Sequence, residues 1–260
     1  MNDVQEPNRD VIYFLEPLVE LVEGYFDAHV EGLERLPEGA ALLVGNHSGG
    51  VMTPDSFIFL RHLLRHTNFD ETPVTLGHDL LFDIPILRRI LCGSGVVPAS
   101  RENAVAALRD GHKVLVYPGG DWEVHRPSSM RDQIDFGGRK GFVKIALEAD
   151  VPVVPVVSAG GHDGWYVITR GERIAHTLRL DKLLRLKVFP IALAAPMGLL
   201  VGPISVHIPL PSRILVEVLE PLRLQGNPER RADLEAGYQQ VTGRMQTTLD
   251  RLAARLPGRN

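Results

Sequence analysis

A histidine followed by a carboxylate is the feature of this sequence that most directly suggests chemistry. His47 lies in the run Gly45-Asn46-His47-Ser48-Gly49-Gly50, after a short apolar stretch, and Asp55 follows it after seven residues. A neutral imidazole can take a proton from a hydroxyl group, and a carboxylate on its second ring nitrogen would fix the tautomer. The pattern is typical of a general base with an acid partner, although a histidine at a strand end can also simply bond to backbone groups.

Two glycine-rich clusters could provide donors for an anionic group. The first extends from Tyr117 to Pro127 and contains Pro118-Gly119-Gly120. Glycines after a strand expose backbone N–H groups that can hold an oxyanion or a phosphate, whereas an ordinary Pro-Gly-Gly turn needs no ligand. The second extends from Phe136 to Gly141 and places Arg139 and Lys140 before a helix. These cations could bind an anion there, or they could lie solvated in a loop.

The length and composition predict a globular protein with one large domain, or a domain with a small appendage. Of the 260 residues, 44% are apolar and 23% charged, and the net charge of −4 gives no global attraction to nucleic acid. The single cysteine, Cys92, excludes an internal disulfide and fits a reducing, cytoplasmic setting. His162-Asp163 has no second histidine at ligand spacing, so no metal is expected. No Gly-x-Ser-x-Gly run is present, which disfavours a serine hydrolase.

Hydrophobic periodicity predicts the elements that would position these side chains. Helices are predicted over 10–32, 56–64, 87–91, 101–109, 141–149 and 228–256, and strands over 40–44, 72–77, 95–99, 113–117, 152–157 and 214–218. The alternation predicts an α/β fold with a mixed, largely parallel central sheet flanked by helices. Ligands of such sheets gather at the carboxyl ends of strands, so the clusters 45–55, 117–126 and 158–165 are expected to meet there.

Four short blocks, in this order, resemble those of the glycerolipid acyltransferase superfamily, which includes lysophosphatidic acid acyltransferases and type-2 diacylglycerol acyltransferases. The blocks are Asn46-His47 with Asp55, Gly95-Val96-Val97-Pro98-Ala99 with Arg101, Tyr117-Pro118-Gly119-Gly120, and Val151-Pro152-Val153-Val154-Pro155-Val156. The resemblance spans about residues 30 to 220. The resemblance implies a fold similar to that of glycerol-phosphate acyltransferases and an O-acyltransferase in which His47 is the general base and Asp55 its partner.

Two departures from the family pattern bear on the acceptor. In the main lysophospholipid branch the acid follows the histidine after four residues, a position that Met52 occupies here. The third block of that branch contains an arginine linked to the acceptor phosphate, and Trp122 stands in its place. Pro-Gly-Gly followed by an acid, together with residues 139–147, is more similar to the diacylglycerol branch. The resemblance therefore implies a neutral acceptor such as diacylglycerol.

The resemblance also implies the donor and the substrate contacts. The donor would be acyl-CoA or acyl carrier protein, acting as a substrate, and no cofactor is expected. Substrate contacts are expected from six residues of these blocks: Asn46, Gly119, Gly120, Glu123, Arg139 and Lys140. The backbone around the two glycines would stabilise the oxyanion, and the two cations would hold the phosphates of the carrier.

Three alternatives remain open at the level of sequence. The first is a lysophospholipid acyltransferase in which Arg126 or Arg139 replaces the missing arginine. The second is a catalytically silent lipid-binding protein that keeps the fold. The third is a thioester hydrolase in which the same histidine and acid activate water.

An apolar stretch from Val188 to Ser212 suggests how the protein meets lipid. It contains no Asp, Glu, Lys or Arg but has five prolines. Each interior proline costs a helix about 3 kcal/mol, so we predict irregular apolar structure on a membrane, around an acyl chain or in a core. We expect an amphipathic helix over 1–32, one acyltransferase domain over 33–260, no secretory signal, and peripheral attachment to the cytoplasmic face of the membrane.

Overall fold

The computed structural model describes residues 7–48, 50–180, 188–202 and 207–259. Within these residues, the α-helices are α1 Arg9–Tyr25, α2 Pro54–His66, α3 Pro85–Gly93, α4 Arg101–Arg109, α5 Gly120–Val124, α6 Gly141–Ala149, α7 Glu172–Thr177 and α8 Arg231–Ala253. The strands are β1 His29–Glu31, β2 Leu42–Gly45, β3 Val74–Gly77, β4 Val96–Pro98, β5 Val114–Val116, β6 Val153–Ala159, β7 Tyr166–Thr169, β8 Ile191–Ala194, β9 Gly198–Val201 and β10 Leu215–Val218.

Seven strands form the central sheet, in the order β1-β10-β6-β2-β5-β3-β4. All neighbouring pairs are parallel except β10 and β6, which are antiparallel. A largely parallel sheet needs helices on both faces, because its crossover connections pass over them. The predicted α/β class with a mixed central sheet is confirmed.

Strand β2 lies at the centre of the sheet, where its apolar side chains pack into the cores on both faces. Leu42 and Val44 pack into one core with side chains of α4, α6 and α8. Leu43, which points to the opposite face, packs with residues of α2 such as Ile58 and Phe59. Every residue of β2 is buried, which explains why its sequence is a continuous apolar run and does not alternate between apolar and polar residues.

The N-terminal helix is shorter than predicted. It ends at Tyr25 and not at Gly32, and Asp27 follows with a positive φ of 40°, a conformation that a helix does not continue through. His29–Glu31 then pairs with β10 as an edge strand of the central sheet. The helical prediction for 26–32 was wrong because periodicity resolves element ends poorly. The division into a helix and one domain stays a prediction.

The stretch 188–212 is more regular than predicted. Its strands β8 and β9 form an antiparallel hairpin that pairs with β7 in a separate three-stranded sheet. Pro190 precedes β8 and Pro196 lies in the turn, so neither interrupts a strand. Residues 203–206 lie outside the described residues, and 207–212 have no regular secondary structure. None of the helices among the described residues has the length and apolar character needed to cross a membrane.

Truncation of a central core side chain should destabilise the fold strongly. Leu43 is fully buried, so Leu43→Ala is expected to lower the free energy of unfolding by about 2–5 kcal/mol. Leu18 on α1 is 59% exposed, and Leu18→Ala should change it by less than about 0.5 kcal/mol. Chemical denaturation of both variants measures the difference, and equal effects would contradict the assignment of the core.

Candidate active site

The candidate site lies where three neighbouring strands end. Strand β2 stands between β5 and β6 and is parallel to both, so their carboxyl ends meet at one edge. The segments that follow are the clusters 45–55, 117–126 and 158–165. Direct contacts join the first cluster to each of the other two, so the predicted convergence is confirmed.

The imidazole of His47 lies flat against the ring of Tyr117. Their ring centroids are 4.2 Å apart and their planes differ by 12°. This stacking depends on Gly45, because a Cβ atom at that position would overlap the Tyr117 ring. A glycine at the end of β2 therefore lets a side chain that follows β5 support the histidine.

Glu123 and Arg126 contact the main chain of His47 on both sides. The N–H of His47 donates to Oε2 of Glu123 at 3.1 Å, and Nη2 of Arg126 donates to the carbonyl of His47 at 3.2 Å. Nη1 of Arg126 donates to Oε1 of Glu123 at 3.0 Å. Both side chains are 0% exposed. Glu123 was predicted to contact substrate, but its burial and contacts place it behind the histidine.

Asp55 lies in the first turn of α2, as predicted, and is buried. Its Oδ2 accepts the N–H of Ser48 at 3.0 Å, which closes the turn that carries His47. Oδ1 of Asp55 and Nδ1 of His47 are both buried and have no hydrogen-bond partner among the residues that the structure describes. The two side chains thus share one turn without a direct hydrogen bond, and their catalytic pairing stays a prediction.

Burial sets the protonation of these groups. It lowers the pKa of His47 to about 3, and the positive charge of Arg126 adds to this shift. Burial raises the pKa of Asp55 to about 6, against the opposing effect of the Ser48 N–H. Burial also raises the pKa of Glu123, and the guanidinium of Arg126 opposes this. At neutral pH His47 is therefore a neutral imidazole, the form that can accept a proton.

Asn46 links β2 to β6 beyond the end of the strand ladder. Its Nδ2 donates to the carbonyl of Ser158, and its Oδ1 accepts the N–H of Ser158, both at 2.8 Å. The residue is 1% exposed. Asn46 was predicted to contact substrate, but both of its polar atoms are occupied within the fold. Its side chain replaces a pair of backbone hydrogen bonds and fixes the turn before His47.

Gly119 and Gly120 differ in what they offer to an oxyanion. The N–H of Gly120 donates to the carbonyl of Tyr117 at 3.1 Å, so it is already used. The N–H of Gly119 makes no hydrogen bond within the described part of the chain. A Cβ atom at Gly119 would overlap the carboxylate of Glu123, which explains the glycine. Between the two predicted donors, Gly119 is the available one.

Arg139 and Lys140 both lie in ion pairs. Arg139 donates to the carbonyl of Gly119 at 2.6 Å and to Asp121 at 2.7 Å, so it braces the glycine loop. Lys140 pairs with Glu235 of α8 at 2.9 Å. A carrier phosphate would have to compete with these carboxylates. The proposed role of both cations in phosphate binding stays a prediction.

The sequence interpretation did not predict the contacts behind His47. Arg126 was considered as a phosphate ligand, but its Nη atoms are used by Glu123 and by the carbonyls of His47 and Arg131. The i,i+3 spacing of Glu123 and Arg126 could have suggested an ion pair. Trp165 was also missed, although it packs against Gly50, which has a φ of +66°. Gly49 lies outside the described residues.

Sheet topology, the histidine at the end of β2 and the glycine loop after β5 agree with the family resemblance seen in the sequence. A family model described as Acyltransferase matches residues 27–159, more than half of the chain. The chain belongs to this acyltransferase family, and the resemblance to glycerolipid acyltransferases is confirmed.

Several known proteins are similar to this chain. An uncharacterised protein of Mycobacterium tuberculosis is 28% identical over 240 residues, which cover 90% of this chain and 63% of that protein. The mouse DGAT1/2-independent enzyme synthesizing storage lipids is 30% identical over 139 residues, 52% of this chain and 40% of the mouse protein. The chain therefore spans less than two thirds of the length of either relative.

A solved structure shares the fold. The crystal structure of the 1-acyl-sn-glycerophosphate (LPA) acyltransferase PlsC from Thermotoga maritima matches with a TM-score of 0.51. The match covers 89% of this chain and 79% of PlsC, at 18% sequence identity. The two proteins thus have similar arrangements of helices and strands over most of their lengths.

The ring of His47 should stay neutral across the physiological range. Because burial and Arg126 lower its pKa to about 3, we expect no titration of this ring between about pH 8 and pH 5. The unfolded chain binds the proton more readily, so the contribution of His47 to stability is lost as pH falls below about 6.5. Ring nitrogen NMR shifts, assigned with His47→Gln, measure this. A midpoint above about pH 6 would contradict the buried setting.

Proposed function

We propose that this protein transfers a fatty acyl group from acyl-CoA or acyl carrier protein to the hydroxyl group of a neutral lipid such as diacylglycerol. The observation that carries the proposal is the neutral imidazole of His47 at the carboxyl edge of the sheet. Its unpaired Nδ1 shares a buried turn with an unpaired carboxylate oxygen of Asp55. A protonated Nδ1 could donate to that carboxylate oxygen, and the mechanism requires the turn to bring the two atoms together when substrate binds.

In the proposed mechanism, His47 removes the proton of the acceptor hydroxyl as that oxygen attacks the thioester carbonyl. Nδ1 of His47 would bind Asp55, which leaves Nε2 to face the acceptor. The carboxylate raises the basicity of an imidazole that is otherwise a weak base in its buried setting. No acyl-enzyme is needed, because the histidine activates the acceptor directly.

The tetrahedral intermediate carries its negative charge on the former carbonyl oxygen. The free N–H of Gly119 is the donor best suited to that oxygen, since Gly120 already donates to Tyr117. When the intermediate collapses, the C–S bond breaks and the carrier thiolate takes the proton from His47. The ester product and the thiol then leave with the base restored.

Several contacts favour a neutral acceptor over a phosphate-bearing one. Trp122, which replaces the phosphate-linked arginine, donates from Nε1 to Asp135 at 2.8 Å and lies 4.2 Å from the guanidinium of Arg170. Arg126 is fully buried, and Arg139 is paired with Asp121. The cations near the third block are thus already neutralised within the fold. The name of the mouse relative, which refers to storage lipids, supports the same acceptor class.

The acceptor class can be tested with labelled acyl-CoA and a panel of lipid alcohols. We expect transfer to diacylglycerol to exceed transfer to lysophosphatidic acid, because Arg126 and Arg139 near the third block are already paired with carboxylates. Preference for lysophosphatidic acid would favour the lysophospholipid alternative. Release of free fatty acid without any acylated lipid would favour the thioester hydrolase.

The same assay tests the general base. His47→Ala should reduce transfer by about 100- to 10,000-fold while the thermal unfolding midpoint stays close to the wild-type value. Exposed His112 provides a matched control, and His112→Ala should retain full activity. Near-normal turnover of His47→Ala would refute the mechanism. Inactivity of the wild-type protein towards all acceptors and water would favour the silent lipid-binding alternative.

We also propose that α1 rests on the cytoplasmic face of a membrane, because apolar side chains also line the side of the helix that faces away from the protein. Its carboxylates face the protein: Glu16, Glu20 and Glu23 pair with Arg61 of α2. The opposite side presents apolar residues to solvent at helical spacing, namely Phe14 at 82% exposure, Leu18 at 59% and Leu21 at 71%. A helix that is held by buried apolar contacts and ion pairs on one side, and that presents further apolar side chains to solvent on the other, suits an interfacial position.

The small sheet would extend this surface. Tyr25 at the end of α1 donates its hydroxyl to the carbonyl of Pro209 at 3.0 Å, which joins the helix to the segment 207–212. Ile208 of that segment is 67% exposed, and Leu199 and Val201 of β9 are 60% and 57% exposed. The apolar side chains of the stretch 188–212 are therefore accessible, and part of this stretch contacts the end of α1.

Introducing acidic side chains on the exposed apolar side of α1 should weaken membrane attachment. Phe14→Asp with Leu21→Asp is expected to lower the fraction bound to phosphatidylcholine–phosphatidylglycerol vesicles several-fold, since charged side chains resist burial among lipids. Gln240→Asp with Thr247→Asp adds the same charge to exposed positions of α8 and serves as the control. Cosedimentation measures binding. Equal binding of both double variants would contradict a role for α1.

A further inference from the structure

The side chains of Glu123 and Arg126 form a closed ring of hydrogen bonds with the main chain of His47. Each carboxylate oxygen has a separate partner, since Oε1 accepts from Arg126 and Oε2 accepts from the His47 N–H. Arg126 closes the ring by donating to the His47 carbonyl. The pair therefore fixes both the amide and the carbonyl of the residue proposed as the base.

No other described contact fixes His47 as firmly. Its Nδ1 has no partner, and its ring is supported by the stacked ring of Tyr117, which leaves sliding in the ring plane possible. The position of the imidazole is thus set mainly through its backbone. A general base must lie within hydrogen-bond reach of the acceptor, and a misplacement of 1 Å can cost about 100-fold in rate.

Complete burial separates this pair from any substrate. Both side chains are 0% exposed, and Arg126 also donates to the carbonyl of Arg131 at 3.2 Å. Neither side chain can reach an acceptor or a carrier without leaving its partners. Their influence on the reaction must pass through His47.

We infer that Glu123 and Arg126 are positioning residues that hold His47 in its catalytic place through its main chain. This inference rests on the proposed function, in which His47 is the general base. The substrate contact expected of Glu123 and the phosphate contact considered for Arg126 are replaced by this role.

Arg126 also acts on His47 through its charge. Titratable groups from every element packed against the turn face this histidine: Asp55 of α2, Tyr117 after β5, Glu123 of α5, Arg126 just beyond it and His162 after β6. Among them, Arg126 supplies the positive charge that lowers the pKa of His47. A change that removes this charge should raise the pKa of His47.

Three variants of the full chain separate positioning from substrate binding. Glu123→Gln keeps the shape but removes the charge that pairs with Arg126, and Arg126→Lys keeps the charge but loses the fork that spans two acceptors. The double variant Glu123→Gln with Arg126→Met leaves no unpaired buried charge, so it protects the test against simple unfolding. Glu217→Gln is the control, because Glu217 of β10 is also buried, at 6% exposure, and forms ion pairs with Arg35 and Arg251.

We expect kcat for acyl transfer to fall by about 100-fold in the three variants, with KM for donor and acceptor within about twofold of wild type. The control should retain wild-type kcat. In the double variant the acidic limb of kcat/KM should move to higher pH, because the base then protonates more readily. Arg126→Lys should keep the limb in place. A merely structural role would leave the pH profile unchanged.

The outcomes distinguish the inference from the function on which it rests. Folded variants with unchanged kcat, in an enzyme that needs His47, would overturn the positioning role alone. A raised acceptor KM with normal kcat would overturn it by showing a substrate contact. A wild-type protein without transferase activity, or an active His47→Ala, would overturn the proposed function itself.

Discussion

A fully buried ion pair between Glu123 and Arg126 is the constraint on which the carboxyl edge of the sheet depends. Burying two charges is costly, and their attraction offsets this cost only where the remaining donors and acceptors are also satisfied. Here the backbone groups of His47 and the carbonyl of Arg131 supply most of those partners, while Nε of Arg126 has none among the described residues. Loss of one charge would leave the other uncompensated, which typically costs about 3–5 kcal/mol. The stability of the fold and the place of the histidine are thus set by the same contacts.

The parallel arrangement of β2, β5 and β6 makes this constraint possible. It brings the turn after β2 between a glycine loop on one side and Ser158 on the other. Each neighbour fixes a different part of the turn: Asn46 through its amide, Ser48 through Asp55, and His47 through the buried pair. The backbone of His47 is thus well fixed, while Nδ1 of its ring has no hydrogen-bond partner among the described residues. That combination suits a group that must exchange protons without moving.

The sequence predicted the chemistry-bearing segments better than it predicted the function of individual side chains. Periodicity located β2, β5 and β6, and the rule that parallel strands present their carboxyl ends together placed the clusters correctly. The i,i+3 spacing of Glu123 and Arg126 is a local signal for an ion pair, but the contact of the pair with His47 depends on how a five-residue helix is rotated against a strand end. No local pattern encodes that rotation. Asn46 looked available for substrate for the same reason. The prediction of irregular structure after Val188 was wrong for β8 and β9, because the effect of a proline depends on whether it lies inside an element or at its end.

The exposed apolar side of α1 links the solubility of the protein to its proposed place at a membrane. In most surface helices the apolar face is hidden, so substitutions on the outside can be chosen freely to improve behaviour in water. On α1 the outer side is apolar as well, with Phe14, Leu18 and Leu21 in solvent, while Ile12 and the ion pairs with Arg61 hold the inner side. A substitution that makes the exposed side of this helix more polar also removes apolar side chains that would bind lipid. Selection for a well-behaved protein and selection for one that reaches its substrate therefore act in opposite directions on the same few side chains.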